Sequence, residues 1–153
     1  MAKFKYRMQN VLDIKWKLED AAKMEFAEAT SRVYKEEEKL KIVIKRKEMY
    51  EAEGKKLRCD TLNVARLKEN TRAVSILDEE RKEQEKQLEM ARKVQELARE
   101  KLQNAMQERK TQEKLYENAF EDFKKEVNAK ESKEVDELTS YTYGKNRRQE
   151  SGE

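Results

Sequence analysis

Residues 77–130 read LDEERKEQEKQLEMARKVQELAREKLQNAMQERKTQEKLYENAFEDFKKEVNAK. Taken every 3.5 residues, the coiled-coil repeat, this stretch gives Leu77, Arg81, Gln84, Leu88, Ala91, Gln95, Ala98, Leu102, Ala105, Arg109, Gln112, Tyr116, Ala119 and Phe123. Spacings of four and three alternate without a slip, which is the a/d stripe of a coiled coil. The positions between are mostly Lys, Arg, Glu and Gln, and neither Pro nor Gly interrupts them. Such a stripe must be covered, either by the upstream part of the chain or by a second copy.

Composition points the same way. Of 153 residues, 45% are charged and 36% are apolar, too few apolar side chains for a multilayer core. There is no Pro and Gly occurs three times, so tight turns are scarce. A chain rich in Ala, Glu, Lys, Leu and Arg with a 3.5-residue period reads as long helix. Disorder is the competing reading of such polarity, and the sustained stripe argues against it. The 36 basic and 33 acidic residues are interleaved, for a net charge of +3. Pairs such as Glu37 with Lys41 and Glu89 with Lys93 stand at i,i+4 spacing, acid first, which suits a solvated helix surface. Nothing here resembles a nucleic-acid stripe. One cysteine, Cys59, allows no internal disulfide and no thiolate cluster. No apolar run approaches the ~20 residues of a membrane span, and the opening residues lack a secretory h-region. The expectation is a cytoplasmic protein without direct membrane insertion.

Upstream of the stripe the pattern continues. In residues 1–17 the aromatic Phe4 and Tyr6 alternate with Lys3, Lys5 and Arg7, and from Phe4 onward the apolar spacing turns helical through Met8, Val11 and Leu12. Two readings stand: a helix start with solvated lysines, or a basic-aromatic docking patch. Ala22, Phe26, Ala29, Val33, Leu40, Val43, Tyr50 and Leu57 then follow four-three spacing, with Glu19, Glu36 and Lys47 filling gaps. Polar residues at such positions cost stability. Gly54, followed by Asp60 and Thr61 as N-cap types, marks the break.

The expected fold is therefore all-α: two long helices in an antiparallel coiled-coil hairpin, the second longer than the first. As one domain over 1–153, it divides into helix 1 at about 4–56, a turn at about 55–62, helix 2 at about 62–140 and a frayed tail at 141–153. A turn near residue 60 pairs Ala22 with Ala98, Ala29 with Ala91, Val33 with Leu88, Glu36 with Gln84 and Tyr50 with Asn70. It sets Phe4 against the region of Leu115 and Tyr116 and leaves residues beyond about 118 unpaired. That overhang carries Phe120, Phe123 and Val127, an apolar face that asks for a partner, the alternative being that Phe120 and Phe123 pack on Phe4 and Met8 and close the hairpin.

Chemistry is scarce. No His is present, which removes the commonest general base and zinc ligand. The glycines at 54, 144 and 152 form no phosphate loop. Carboxylates abound, but no cleft excludes water around a pair of them. The expectation is no enzyme, no cofactor and no metal, with function residing in binding surfaces.

Particular residues go further. The opening Phe4-Lys-Tyr6-Arg7-Met-Gln9-Asn-Val11-Leu12-Asp-Ile14-Lys15 resembles the start of the flagellar export protein FliJ, where an aromatic-basic run leads into a Gln, two aliphatics and a Lys. Lys133-Glu134-Val135-Asp136-Glu137-Leu138 is similar to that family's charged C-terminal motif. The resemblance covers nearly the whole chain. It implies a non-enzymatic part of the flagellar type III export apparatus, similar in fold to the central stalk of rotary ATPases. It also implies three partners: the export ATPase hexamer, the cytoplasmic domain of the export gate protein, and export chaperones that the protein escorts. The protein would be a monomer in the cytoplasm, peripherally associated with the inner-membrane apparatus. The positions matching the family's gate contact are Val43, Tyr50, Val74 and Leu77, with Arg46, Asn70 and Arg81 departing from its aromatic character. Phe4, Tyr6, Arg7, Phe120, Phe123 and Val127 would form the ATPase-facing end. A generic coiled-coil tether paired in parallel through residues 77–130, and the equivalent stalk of a virulence secretion system, are the rival readings.

Overall fold

The structure is a computed structural model that describes residues 2–152. It consists of helix α1 (Gln9–Cys59) and the longer helix α2 (Val64–Glu150), with no strand among the described residues. The two pack antiparallel as a hairpin, the fold that the periodicity predicts. Their contacts fall into two units, Leu18–Met106 and Met1–Lys17 with Gln107–Glu153.

In the unit Leu18–Met106 the pairing runs in strict antiparallel order. Lys101 reaches Glu25, Arg92 reaches Glu37, Asp78 meets Lys47, and Asn70 donates to the Tyr50 carbonyl. Ala22, Ala29, Ala91 and Ala98 are all buried. Small side chains at these layers let the helix axes approach. Val33, Leu88 and Ala91 form the central apolar cluster, with Leu40 packed on it. Beside them the Gln84 amide donates to the Glu36 carbonyl at 3.1 Å and to the Glu36 carboxylate. This polar layer is the one predicted from the register, and its groups satisfy each other, as half-buried polar groups must. Glu19 is the most buried side chain, 1% exposed, with Lys23 at 3.3 Å.

The turn lies later than expected. α1 runs past Gly54 to Cys59 rather than ending near residue 56. Asp60 accepts from the Thr61 amide at 2.8 Å, within the loop. The N-cap of α2 is Asn63, whose side chain accepts from Arg66 N–H at 3.4 Å and whose carbonyl accepts from Leu67 N–H at 3.1 Å. Gly54 is no break. It is buried inside α1, where a Cβ would stand 2.5 Å from Asn70 Oδ1.

In the unit Met1–Lys17 with Gln107–Glu153, α1 begins at Gln9 rather than at Phe4. Residues 2–6 form no regular structure, and Tyr6 turns into the helix by accepting from Gln9 N–H. Leu12 is buried, Lys15 bonds Glu108 at 2.8 Å, and the Arg109 guanidinium stacks over Trp16 at 4.5 Å.

α2 does not stop near residue 140. It passes through Tyr141-Thr-Tyr-Gly144 to Glu150, so the tail expected at 141–153 is largely helical. No local feature ends it there. The Thr139 and Thr142 hydroxyls bond back to the Val135 and Leu138 carbonyls at 2.8 Å, inside the helix. Gly144 has open space around it and no positive φ. Arg147 and Arg148 occupy the last turn, where the helix dipole favours cations.

Candidate interaction surfaces

The first candidate surface lies in the unit Leu18–Met106. Tyr50 is 41% exposed, Val43 and Val74 are half-buried, and Leu77 is buried at 7%. Tyr50 and Leu77 line one shallow groove of about 900 Å³ together with Met49, Ala73 and Ile76. Val43 and Val74 do not line it. Met49 and Ile76, 71% and 51% exposed, stand further into solvent than any of the four residues read from the sequence. The signal for them was present: Met49-Tyr50 and Ile76-Leu77 are adjacent apolar pairs. One member of such a pair enters a two-helix seam and the other must stay outside. Arg46 and Lys56 face Glu53 and Glu80 around the same groove, so its rim carries both signs.

Nearby charges stiffen this region. Asp78 accepts from Lys47 at 2.8 Å and from Arg81 at 3.1 and 3.2 Å. These two cations, Lys47 first, hold its carboxyl well below the usual carboxylate range. Arg81 also grips Glu85 at 2.6 Å, and its two acidic partners push its pKa up. Thus Arg81, a polar intruder in the apolar stripe, sits in an ion network beside the seam.

The second candidate surface lies in the other unit and is an aromatic cluster. The Phe4 ring stands 5.6 Å from Tyr116, 5.2 Å from Phe120 and 5.2 Å from Phe123. Tyr6 meets Tyr116 edge-on at 5.1 Å. These are favourable aromatic distances and tilts. Val127 is half-buried, and Arg7 is exposed. Lys124 lies 4.8 Å over the Phe120 ring.

The expectation that residues beyond about 118 lack an intramolecular partner is therefore wrong for Phe120 and Phe123. The reason is the conformation of residues 2–6. A helix advances 1.5 Å per residue, but extended chain advances about 3.3 Å. An arm that is not helical can thus carry Phe4 further along α2 than a helix would, from Tyr116 on to Phe120 and Phe123. The uncovered segment begins later. Every residue from 128 to 152 is exposed, including Val135 at 59%, Leu138 at 65%, Tyr141 at 70% and Tyr143 at 74%. Val135 and Leu138 belong to the charged C-terminal motif and Tyr141 and Tyr143 to the tail expected to fray, and the sequence pattern marks none of them as a surface.

Among the described residues no group of His, Cys, Asp and Glu is arranged to hold a metal ion. No helix is long and apolar enough to cross a membrane. Both surfaces offer apolar area with a charged rim, which is the chemistry of protein docking.

Comparison with known proteins gives one match. The family model described as the flagellar FliJ protein matches residues 4–148. No curated protein and no solved structure matches the chain.

Proposed function

This chain belongs to the flagellar FliJ family, and so to the components of the flagellar export apparatus; from that premise we propose that it is a non-enzymatic protein, the central stalk of the export ATPase ring. In this role it links the ring to the cytoplasmic domain of the export gate protein and escorts export chaperones. It acts as a monomer in the cytoplasm, held peripherally at the inner-membrane apparatus.

The observation that carries this reading is the end of α2. Beyond the aromatic cluster the helix continues to Glu150 with all its side chains in solvent, Val135, Leu138, Tyr141 and Tyr143 among them. A helix gains most of its stability from an apolar face packed on something else. This segment has no such packing within its unit, so a partner is the natural source of it. A stalk that enters a ring needs an end of this kind, with apolar side chains for the ring's inner wall and charges to orient them. The adjoining Phe120, Phe123 and Val127 complete that end, and the arm that carries Phe4, Tyr6 and Arg7 lies over it. The groove at Tyr50 and Leu77, together with the half-buried Val43 and Val74 of the same two helices, takes the gate protein.

The test is the double change Phe120→Ser, Phe123→Ser, assayed for stimulation of the export ATPase alongside a melting curve. Lost stimulation with helicity retained is the expected result. A lowered melting point with unchanged stimulation would mean that these rings only hold the chain together.

A further inference from the structure

Residues 2–6 precede α1 without joining it, and their side chains alternate. Phe4 and Tyr6 are half-buried, whereas Lys3, Lys5 and Arg7 are exposed. This is the period-two pattern of extended chain laid along a surface. The surface is α2, and the contact is made by rings: Phe4 on Tyr116, Phe120 and Phe123, and Tyr6 on Tyr116. Among the described residues no hydrogen bond and no ion pair ties residues 2–8 to α2; the arm's backbone bonds run only into the first turn of α1. A contact of apolar rings without directional bonds can be exchanged for another apolar contact without leaving a buried polar group unpaired.

What lies under the arm has a definite pattern. Tyr116, Phe120 and Phe123, continued by Val127, stand at i, i+4, i+7 and i+11 on α2. That is the spacing by which an amphipathic helix enters an apolar groove of a partner. The arm fills this stripe from outside as a groove would.

We propose that residues 2–8 are a displaceable strap that masks the aromatic docking face of α2 in the free protein. The partner it fits has an apolar groove with an acidic rim. Lys3, Lys5 and Arg7 are exposed, form no ion pair among the described residues, and move with the arm. An acidic rim draws these cations off α2 while the uncovered rings enter the groove. The inference rests on the reading that this end of the protein meets the export ATPase, and it adds a regulation of that encounter: the masked form binds weakly, and opening is part of binding.

The experiment uses the full chain and the purified export ATPase. Three forms are compared: Phe4→Ala, the triple change Lys3→Gln, Lys5→Gln, Arg7→Gln, and the double change Phe120→Ser, Phe123→Ser. Binding affinity, circular dichroism and hydrogen exchange are measured on each. A strap lowers apparent affinity by the fraction of molecules in which it is open. Phe4→Ala is therefore expected to keep its helicity, with exchange in residues 107–127 unchanged, and to bind about tenfold more tightly. The triple change is expected to weaken binding and reduce its sensitivity to salt. Weaker binding by Phe4→Ala, equal to that of the Phe120→Ser, Phe123→Ser form, would overturn the strap and make the arm part of the docking face. Loss of helix around residues 107–127 in Phe4→Ala would overturn it too, by making the arm a structural member. Should neither Phe4→Ala nor the double change alter binding, the stalk reading itself falls, and the strap falls with it.

Discussion

Gly54 shows how a single residue misleads when only propensity is known. Glycine within a helix costs ~1 kcal/mol relative to alanine, so it reads as a stop. In the structure it lets Asn70 cross close to α1 and donate to the Tyr50 carbonyl at 2.8 Å. Gly54→Ala alone gains helix propensity but drives a Cβ into the Asn70 amide. The two effects, each about 1 kcal/mol, should nearly cancel. In an Asn70→Ala background the clash is gone, and Gly54→Ala should stabilise by ~1 kcal/mol. A double-mutant cycle of chemical unfolding measures that coupling, and additive behaviour would contradict it. Asp78 supplies a second test. Its pKa is depressed by Lys47 and Arg81, so the folded state prefers the carboxylate. The stability this contributes is full above the unfolded value of about 4 and is lost as pH falls from there toward the depressed folded value. Asp78→Asn should therefore be less stable than wild type at about pH 7, with the gap narrowing by about pH 3. Melting curves at the two pH values decide it, and a constant gap would mean that the ion network is not the cause.

At the scale of elements, the two helices present their residues differently from what a stripe implies. Leu77 was read as part of a docking patch, yet it is 7% exposed and belongs to the seam. Tyr50 shares the same groove and remains 41% exposed. Leu77→Asp should lower helicity as well as gate binding, because it buries a charge without a partner. Tyr50→Ala, and more so Met49→Ser with Ile76→Ser, should weaken gate binding with helicity retained. Circular dichroism beside a pull-down with the gate's cytoplasmic domain separates the two. If Tyr50→Ala also melts the chain, the groove is seam and not surface. The start of α1 is the other lesson at this scale. Alternation of Phe4 and Tyr6 with Lys3, Lys5 and Arg7 is a two-residue period, and it outranked the helical spacing that begins with the same Phe4.

For the molecule as a whole, the question is whether the stripe of residues 77–123 is covered within one chain. In the unit Leu18–Met106, Ala91, Ala98, Leu77 and Leu88 are buried by the same chain's α1. A parallel dimer through the same stripe would have to displace those contacts. We therefore expect one chain per particle by sedimentation at micromolar concentration. A concentration-independent dimer that persists after Leu88→Asp would show that the chains associate through another face.

The sequence by itself determined the helices, their antiparallel pairing and most of the layers between them. A 3.5-residue period, a lone break near residue 60 and the matching of small with small side chains left few alternatives, because a stripe of apolar residues must be buried. The polar layer of Glu36 and Gln84 was legible for the same reason. Tertiary structure alone decided what lies at the margins. Whether Gly54 ends a helix depends on Asn70, which is sixteen positions away in sequence and adjacent in space. How far Phe4 reaches depends on residues 2–6 staying out of the helix, since rise per residue sets reach. That α2 runs on to Glu150 depends on bonds and charges local to residues 135–148, which weigh little in any periodic pattern. Which apolar residues stay exposed is settled by the seam, which buries Leu77 and leaves Ile76, Met49 and much of Tyr50 for a partner.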